Sequence, residues 1–259
     1  MKILIIHGCM RKGNTYALTR EISDYLLTRP DVELVEISVS ELNLQMCVSC
    51  HNCFMRGEEF CPHYGVMKGV EAAFENCDGI ILGGSTYIWS LNAAMKNLLD
   101  HMAYGFHRPA YFGKKGIAVS TSAGAGEKGV AKYMKNVLGQ FGVNGAIIVT
   151  RNAREQALVP KEKADAKIKN AAERFYRSIA SKQQIAPSLK AVVVHNAFRA
   201  MSLGEFSGSE RDAQFWRRKD YANRAYPAYA GWKAAIGAIV FVCVRQATKA
   251  IGRKLQSPK

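Results

Sequence analysis

At 259 residues the chain can build one α/β domain with an elaboration, or at most two small domains, and its 48% hydrophobic and 22% charged composition excludes wholesale disorder. The net charge of +15 is unevenly placed: residues 1–150 carry 14 Lys+Arg against 13 Asp+Glu, residues 151–259 carry 22 against 8. This suits a neutral body with a basic appendage, and since no helix-turn-helix or aromatic RNA-binding signature accompanies the charge, nucleic-acid binding is not expected.

In chain order, Lys2–Ile6 is an apolar run of the buried-strand type, and the stretch ends in Gly8. Asn14–Leu27 follows with Leu18, Ile22, Tyr25 and Leu26 at helical spacing, and Asn14 or Thr15 is suited to cap its start. The intervening GCMRKGNT couples glycine, which lets backbone approach a ligand, to a helix start whose free N–H groups favour an anion. Arg11 adds charge there, and Asn14 and Thr15 add hydrogen bonds. With no Walker ending and no GxGxxG, an ordinary strand-to-helix turn is the competing reading of this loop.

Val32–Val39 is strand-like, and Cys47, Cys50, Cys53 and Cys61 come next in the run CVSCHNCFMRGEEFC. Two consecutive two-residue gaps bring three sulfurs onto one loop, and a seven-residue arm returns the fourth. Thiolates so arranged hold an iron–sulfur cluster or a zinc ion. Unligated thiols in a loop beside an active site are the alternative.

Met67–Phe74 reads as a short helix, Asp78–Gly83 as a second buried strand, and Leu91–Met102 as a helix. Between the last two, GGSTYIWS offers Tyr87 and Trp89 for stacking against a planar ring, or simply for packing. Gly116–Thr121 is a strand, STSAGAGEKG a glycine-bearing loop, Lys128–Phe141 a helix, Gly145–Thr150 the last strand and Pro160–Ser181 a long charged helix. The βαβ rhythm implies a five-stranded parallel sheet with helices on both faces. In such sheets ligands sit beyond the carboxyl ends of the strands, where strand order reverses, and three loops fall on that edge.

The residues at this edge resemble the flavodoxin-like NAD(P)H-dependent FMN reductases, and more narrowly their iron–sulfur flavoprotein branch. Gly8–Thr15 is similar to the family's GSxRxGxxT phosphate loop, Ser85–Trp89 to its S-P-x-Y-W segment, Met95–Asp100 to its MKNFxDR helix, and Ser120–Gly124 to its third flavin loop. The likeness covers roughly residues 1–180. Cys9 and Thr86 depart from it, standing where serine and proline are usual, and Pro62-His63-Tyr64 replaces the acidic pair found after the fourth cysteine. The resemblance implies a bound FMN with its phosphate at Cys9, Arg11, Gly13, Asn14 and Thr15. Its ring would lie against Ser85, Thr86, Tyr87, Ile88 and Trp89, with the backbone of Ser122, Ala123 and Gly124 at one edge. It also implies a [4Fe–4S] cluster on Cys47, Cys50, Cys53 and Cys61, NAD(P)H as electron donor, and assembly as a homo-oligomer. No acid, base or nucleophile is required, and His7, His51 and His63 are expected to be structural or incidental.

The family pattern ends near residue 184, which divides the chain into a flavodoxin-like FMN-binding part, 1–184, and a basic helical C-terminal extension, 185–259. SLKAVVVHNAFRAM has helical spacing, the following segment to Trp232 is rich in aromatics and arginine, and Trp232–Leu255 can form a helix with Trp232, Ile236, Ile239, Cys243, Ala247 and Ile251 on one stripe. Its uncharged stretch Ala234–Val244 is shorter than the ~20 residues a bilayer span needs, so packing on the body or on a second subunit is expected, with docking in a membrane interface as the alternative.

Seven cysteines in an odd, clustered set fit a reducing compartment, and the N-terminus lacks a signal-peptide pattern, so the expected location is the cytoplasm, or the periphery of the inner membrane surface. Three functions compete: an FMN-dependent NAD(P)H oxidoreductase acting on quinones, nitro or azo compounds, flavins or a protein acceptor; an iron–sulfur flavoprotein exchanging electrons with ferredoxin-like partners; and a zinc-stabilised or membrane-docking adaptor without flavin.

Overall fold

Alternation along three wholly buried strands splits the core into two layers. In the computed structural model, which describes residues 1–204, 209–218 and 231–256, the strands β1 (Lys2–His7), β2 (Glu33–Ser38), β3 (Gly79–Gly83), β6 (Lys115–Ser122) and β7 (Ile147–Asn152) form one parallel sheet. Its order is β2-β1-β3-β6-β7. Leu4, Ile6, Ile80, Leu82 and Ala118 point to one face, where Met67, Phe74, Met95, Met134 and Phe141 cover them. Ile3, Ile5, Ile81, Ile117 and Val119 point to the other, against Leu18, Ile22, Leu26, Ala172 and Phe175. Phe74, Phe141 and Phe175 are fully buried, and truncating any of them to alanine costs roughly 3–5 kcal/mol.

This is the expected flavodoxin-like sheet. On one face lie α3 (Tyr64–Glu75), α4 (Ala93–His101) and α5 (Glu127–Gln140); on the other lie α1 (Asn14–Leu27) and α7 (Lys161–Ala180). Pairing of His7 with Gly83, and of Gly83 with Val119, brings the carboxyl ends of β1, β3 and β6 side by side. Sequence order reverses between β1 and β3, which makes this the ligand edge of the sheet. Four short elements were not anticipated: the antiparallel pair β4 (Thr86–Tyr87) and β5 (Ser90–Leu91), a turn of helix in the cysteine loop, α2 (Asn52–Met55), and α6 (Ala153–Leu158) after the last strand.

Among the described residues after 184, the first two helices pack on this body. In α8 (Leu189–Ser202), His195 Nε2 donates to Gln140 O at 2.8 Å. From α9 (Glu210–Arg217), Trp216 Nε1 donates to His107 O at 2.9 Å, and Asp212 pairs with both His107 and Arg108. The arginine- and aromatic-rich stretch 219–230 lies outside the described residues.

The last helix, α10 (Trp232–Gln256), corrects the expectation for its stripe. It does lie along α8, with Arg199 4.9 Å from the Phe241 ring, but Gly237 and Gly252 are the buried positions. Trp232, Ile239, Cys243, Ala247 and Ile251 are exposed and Ile236 is half-buried, so the apolar stripe faces outward. Its length is also corrected. Trp232–Lys254 is long and apolar enough, by length and composition only, to cross a membrane, because apolar residues continue past Arg245.

Candidate functional site

The first rim loop begins where β1 stops. Gly8 N donates to Gly83 O at 2.7 Å, and a Cβ on Gly8 would fall 2.7 Å from that oxygen and from Met95, so the crossing admits only glycine. Asn92, just before α4, joins this turn to the second loop: its Nδ2 donates to Gly8 O (2.6 Å) and its Oδ1 accepts from Ser85 N (3.1 Å). Contrary to the sequence reading, neither Asn14 nor Thr15 caps α1. Gly13 is the N-cap residue and makes no side-chain cap, while Thr15 Oγ1 pairs with Thr121 Oγ1 of β6 at 2.6 Å. The opening N–H groups of α1 are left facing the rim without a side-chain acceptor.

A cavity of about 140 Å³ lies at this point, lined by Cys9, Arg11 and Thr15 of the expected set and by His7, Tyr16 and Ser40. His7 shares a 2.8 Å hydrogen bond between Nε2 and Glu36 Oε2, while its buried Nδ1 has no protein partner. A buried polar nitrogen is costly unless something satisfies it. The uncapped helix and the guanidinium fit an anionic ligand group, and the orphaned imidazole nitrogen, an acceptor because Nε2 donates to Glu36, fits a hydroxyl beside it.

The second loop is a tight hairpin. Thr86 pairs with Leu91 and Tyr87 with Ser90, so Ile88 and Trp89 form a two-residue turn with φ of 47° and 59°. Such turns favour Asn-Gly, and a β-branched residue there is strained. Ile88 is nonetheless 95% exposed and Trp89 77%, so packing does not explain the arrangement. The hairpin touches the third loop: Thr86 Oγ1 lies 3.1 Å from Ser120 Oγ, and a Cβ on Gly126 would meet Thr86 Cγ2 at 3.0 Å. In that loop Ala123 and Gly124 are exposed backbone, whereas the Ser122 hydroxyl is spent on Glu127 Oε2 (2.6 Å). Burial pushes the Glu127 carboxyl up, but hydrogen bonds from Ser122, its own backbone N–H and Asn152 outweigh it and hold the group below the usual range. The rim thus gathers a corner with a guanidinium and an uncapped helix start, an exposed aromatic edge and an open glycine backbone.

The four cysteines line a second cavity, of about 270 Å³, with His51, His63, Asp100 and His101. Asn97 of α4 fixes the entry to their loop: its Oδ1 accepts from Cys47 N (2.9 Å) and its Nδ2 donates to Gln45 O (3.0 Å). Ser49 and His51, on either side of Cys50, are left-handed at φ of 53° and 61°. Arg108 closes the far side, donating to Cys53 O (2.6 Å) and Glu58 Oε2 (2.9 Å) and pairing with Asp212. Burial pushes the Cys53 thiol up to about 11, with Arg108 opposing and Cys61, Cys47 and Cys50 adding to the rise. Four thiols around one cavity fit a multinuclear cluster. A tetrahedral zinc with Zn–S bonds of ~2.3 Å would need sulfurs ~3.8 Å apart. Among the described residues, the metal-type ligand atoms that all lie within 4.8 Å of one another are instead those of Cys61, His63 and His101.

Sequence reading placed His7 at this edge but took it as structural or incidental, and it passed over Asn92, Asn97, His101 and Arg108. Each acts through a partner at least 29 residues away, so local spacing carries no trace of the role, although the polar type of each at the edge of an apolar run was visible.

Comparison with known proteins places these features in context. The family described as NADPH-dependent FMN reductase matches residues 1–154. The chain is 25% identical over 225 residues to an iron–sulfur flavoprotein of Archaeoglobus fulgidus, covering 85% of this chain and 100% of the relative. It is 28% identical over 187 residues to an iron–sulfur flavoprotein of Clostridioides difficile, covering 71% of this chain and 81% of that protein. Among solved structures, the apo form of an NADH:FMN oxidoreductase (EMOB) superposes with a TM-score of 0.53 at 22% identity, over 68% of this chain and 89% of that one.

Proposed function

This chain belongs to the NADPH-dependent FMN reductase family, and we propose that it takes electrons from NAD(P)H through a bound FMN and passes them to a quinone, a nitro or azo compound, a free flavin or a protein acceptor. One observation carries the reading: three loops at the carboxyl ends of β1, β3 and β6 are bonded into a single rim around the His7–Arg11–Thr15 cavity. Arg11 and the amides of Asn14 and Thr15 would hold the phosphate, with Cys9 beside it, whereas the Gly13 N–H is already given to Arg11 O at 2.9 Å and His7 Nδ1 would accept from a hydroxyl of the ligand. Tyr87, Ile88 and Trp89 would cover the ring, with the Ala123–Gly124 backbone at one edge and Ser85, Thr86 and Ser122 positioning these segments. FMN, when bound, supplies hydride and one-electron chemistry. The chain's residues need only orient it and leave one face open to the nicotinamide.

Cys47, Cys50, Cys53 and Cys61 would hold a [4Fe–4S] cluster, which supplies single-electron transfer. The shared cavity and the names of the two relatives support this, and a protein acceptor of ferredoxin type is then the second reading. A zinc-stabilised adaptor on the four thiols is disfavoured by their spacing. We place the protein in the cytoplasm, as a homo-oligomer, with peripheral membrane contact through α10, whose outward stripe favours it.

The test is anaerobic purification with flavin, iron and sulfide quantified. About one FMN and about four iron atoms per chain are expected. Protein that neither contains FMN nor binds it when added defeats the oxidoreductase reading. Flavin without iron removes the cluster alone.

A further inference from the structure

We propose that Cys61, His63 and His101 form a mononuclear transition-metal site of the zinc type, with a ligand set different from the four cysteines. One potential ligand atom from each lies within 4.8 Å of the other two. His63 Nδ1 and His101 Nε2 face each other at 2.9 Å, two ring nitrogens converging on the space beside the Cys61 sulfur.

The tautomer of His101 is set by its surroundings. The ring is buried, and its Nδ1 lies 2.9 Å from Asn97 O, a carbonyl that can only accept. The proton therefore sits on Nδ1, and the Nε2 lone pair points toward His63. Metal-bound histidines are held in this way, with the outer ring nitrogen donating to a backbone carbonyl. Cys61 and His63 sit in a turn before α3, fixed by Tyr64 N donating to Cys61 O (3.0 Å) and Met67 N to His63 O (3.1 Å). His101 closes α4, whose Asn97 also grips the entry to the cysteine loop.

The two nitrogens lie near the separation the ion needs, with the sulfur within 4.8 Å of a nitrogen on each ring. With Zn–N bonds of ~2.05 Å and a Zn–S bond of ~2.3 Å, tetrahedral coordination puts the nitrogens ~3.3 Å apart and each ~3.6 Å from sulfur. The two rings would have to part by only ~0.4 Å. The three residues also line the cavity beside Cys47, Cys50 and Asp100, where a water can complete the shell. Thiolate with two imidazoles selects borderline ions such as zinc or cobalt over magnesium and calcium. Cys61 cannot complete this site and the four-cysteine set at once, so the ion and the cluster would be alternative occupants of one chain. The ligand set itself does not depend on flavin binding.

Full-length protein, freed of iron under reducing anaerobic conditions, is titrated with Co²⁺ and followed by visible absorption. About one cobalt per chain is expected, with tetrahedral d–d bands and a thiolate-to-metal charge-transfer band, all lost on adding Zn²⁺. His63→Gln and His101→Gln should each weaken cobalt binding by ~10-fold or more, and Cys50→Ser by less than ~3-fold. The thermal melt of each variant, followed by far-UV circular dichroism, reports whether it is folded, and if His101→Gln is not, the half-exposed His63→Gln decides alone. Absence of cobalt binding, binding by His63→Gln equal to that of the parent, or binding abolished by Cys50→Ser overturns the proposal. None of these results bears on FMN content, so this failure is separable from failure of the flavin reading.

Discussion

Arg108 is the residue on which two parts of the molecule depend. Its buried guanidinium pairs with buried Asp212 of α9, with Glu58, and with the carbonyl of Cys53, and it lies over the Tyr104 ring at 5.2 Å. Removing one partner of a buried pair strands the other charge at a cost of about 3–5 kcal/mol. Arg108→Gln should lose that much in denaturant unfolding, and a change under ~0.5 kcal/mol would contradict the role. His195 gives a pH signature. Burial lowers its pKa from 6.5 to about 4, so the folded state holds it neutral while the unfolded state takes up a proton. Its contribution is full above pH 6.5 and is lost as pH falls through about 4, a slope worth about 3 kcal/mol in all. Stability measured between pH 7 and 4 should fall less steeply in His195→Gln, if that variant folds, and an unchanged slope would count against the assignment.

Among the elements, the β4–β5 hairpin stores strain where the flavin edge is proposed. Left-handed backbone costs an ordinary residue about 1–2 kcal/mol, and Ile88 gains no packing in return. Ile88→Asn, which tolerates that conformation, should raise stability by about 1 kcal/mol in thermal melts and weaken FMN binding. A loss of stability, or stronger FMN binding, would contradict the account. This hairpin also marks where sequence reading stops. Tyr87 and Trp89 were legible as ring-stacking candidates, but two-residue strands and a turn without Asn or Gly leave no pattern to find. The α1 start was misjudged for a related reason: Asn14 and Thr15 have the right side chains for a cap, and Thr15 is claimed instead by Thr121, 106 residues away.

On the scale of the whole molecule, the sheet was readable because β1, β3 and β6 are buried on both faces and carry the apolar runs Ile3–Ile6, Ile80–Leu82 and Ile117–Val119. The location of the rim followed from the order of elements. The far end of the chain was less readable: the stripe on α10 is apolar enough for a core, but the helix lies along α8 with Gly237 and Gly252 buried and the stripe exposed. The exposed stripe, in a half of the chain with 22 basic against 8 acidic residues, suits an anionic bilayer surface. Full-length protein should sediment with phosphatidylglycerol-rich vesicles and much less with neutral ones, and Ile239→Glu with Val242→Glu should abolish the difference. These positions leave α8 and α9 in place, whereas truncation after residue 184 would also remove Asp212 from Arg108. Equal sedimentation of parent and variant would eliminate the role.

The central claim is that the carboxyl edge of the sheet cradles FMN, and a crystal structure of the protein grown with FMN tests it most directly. The expected result is the phosphate beside Arg11 and the amides of Asn14 and Thr15, a ligand hydroxyl within reach of His7 Nδ1, and the ring between Trp89 and Gly124. A protein that takes up no FMN, or one that seats it away from these three loops, contradicts it.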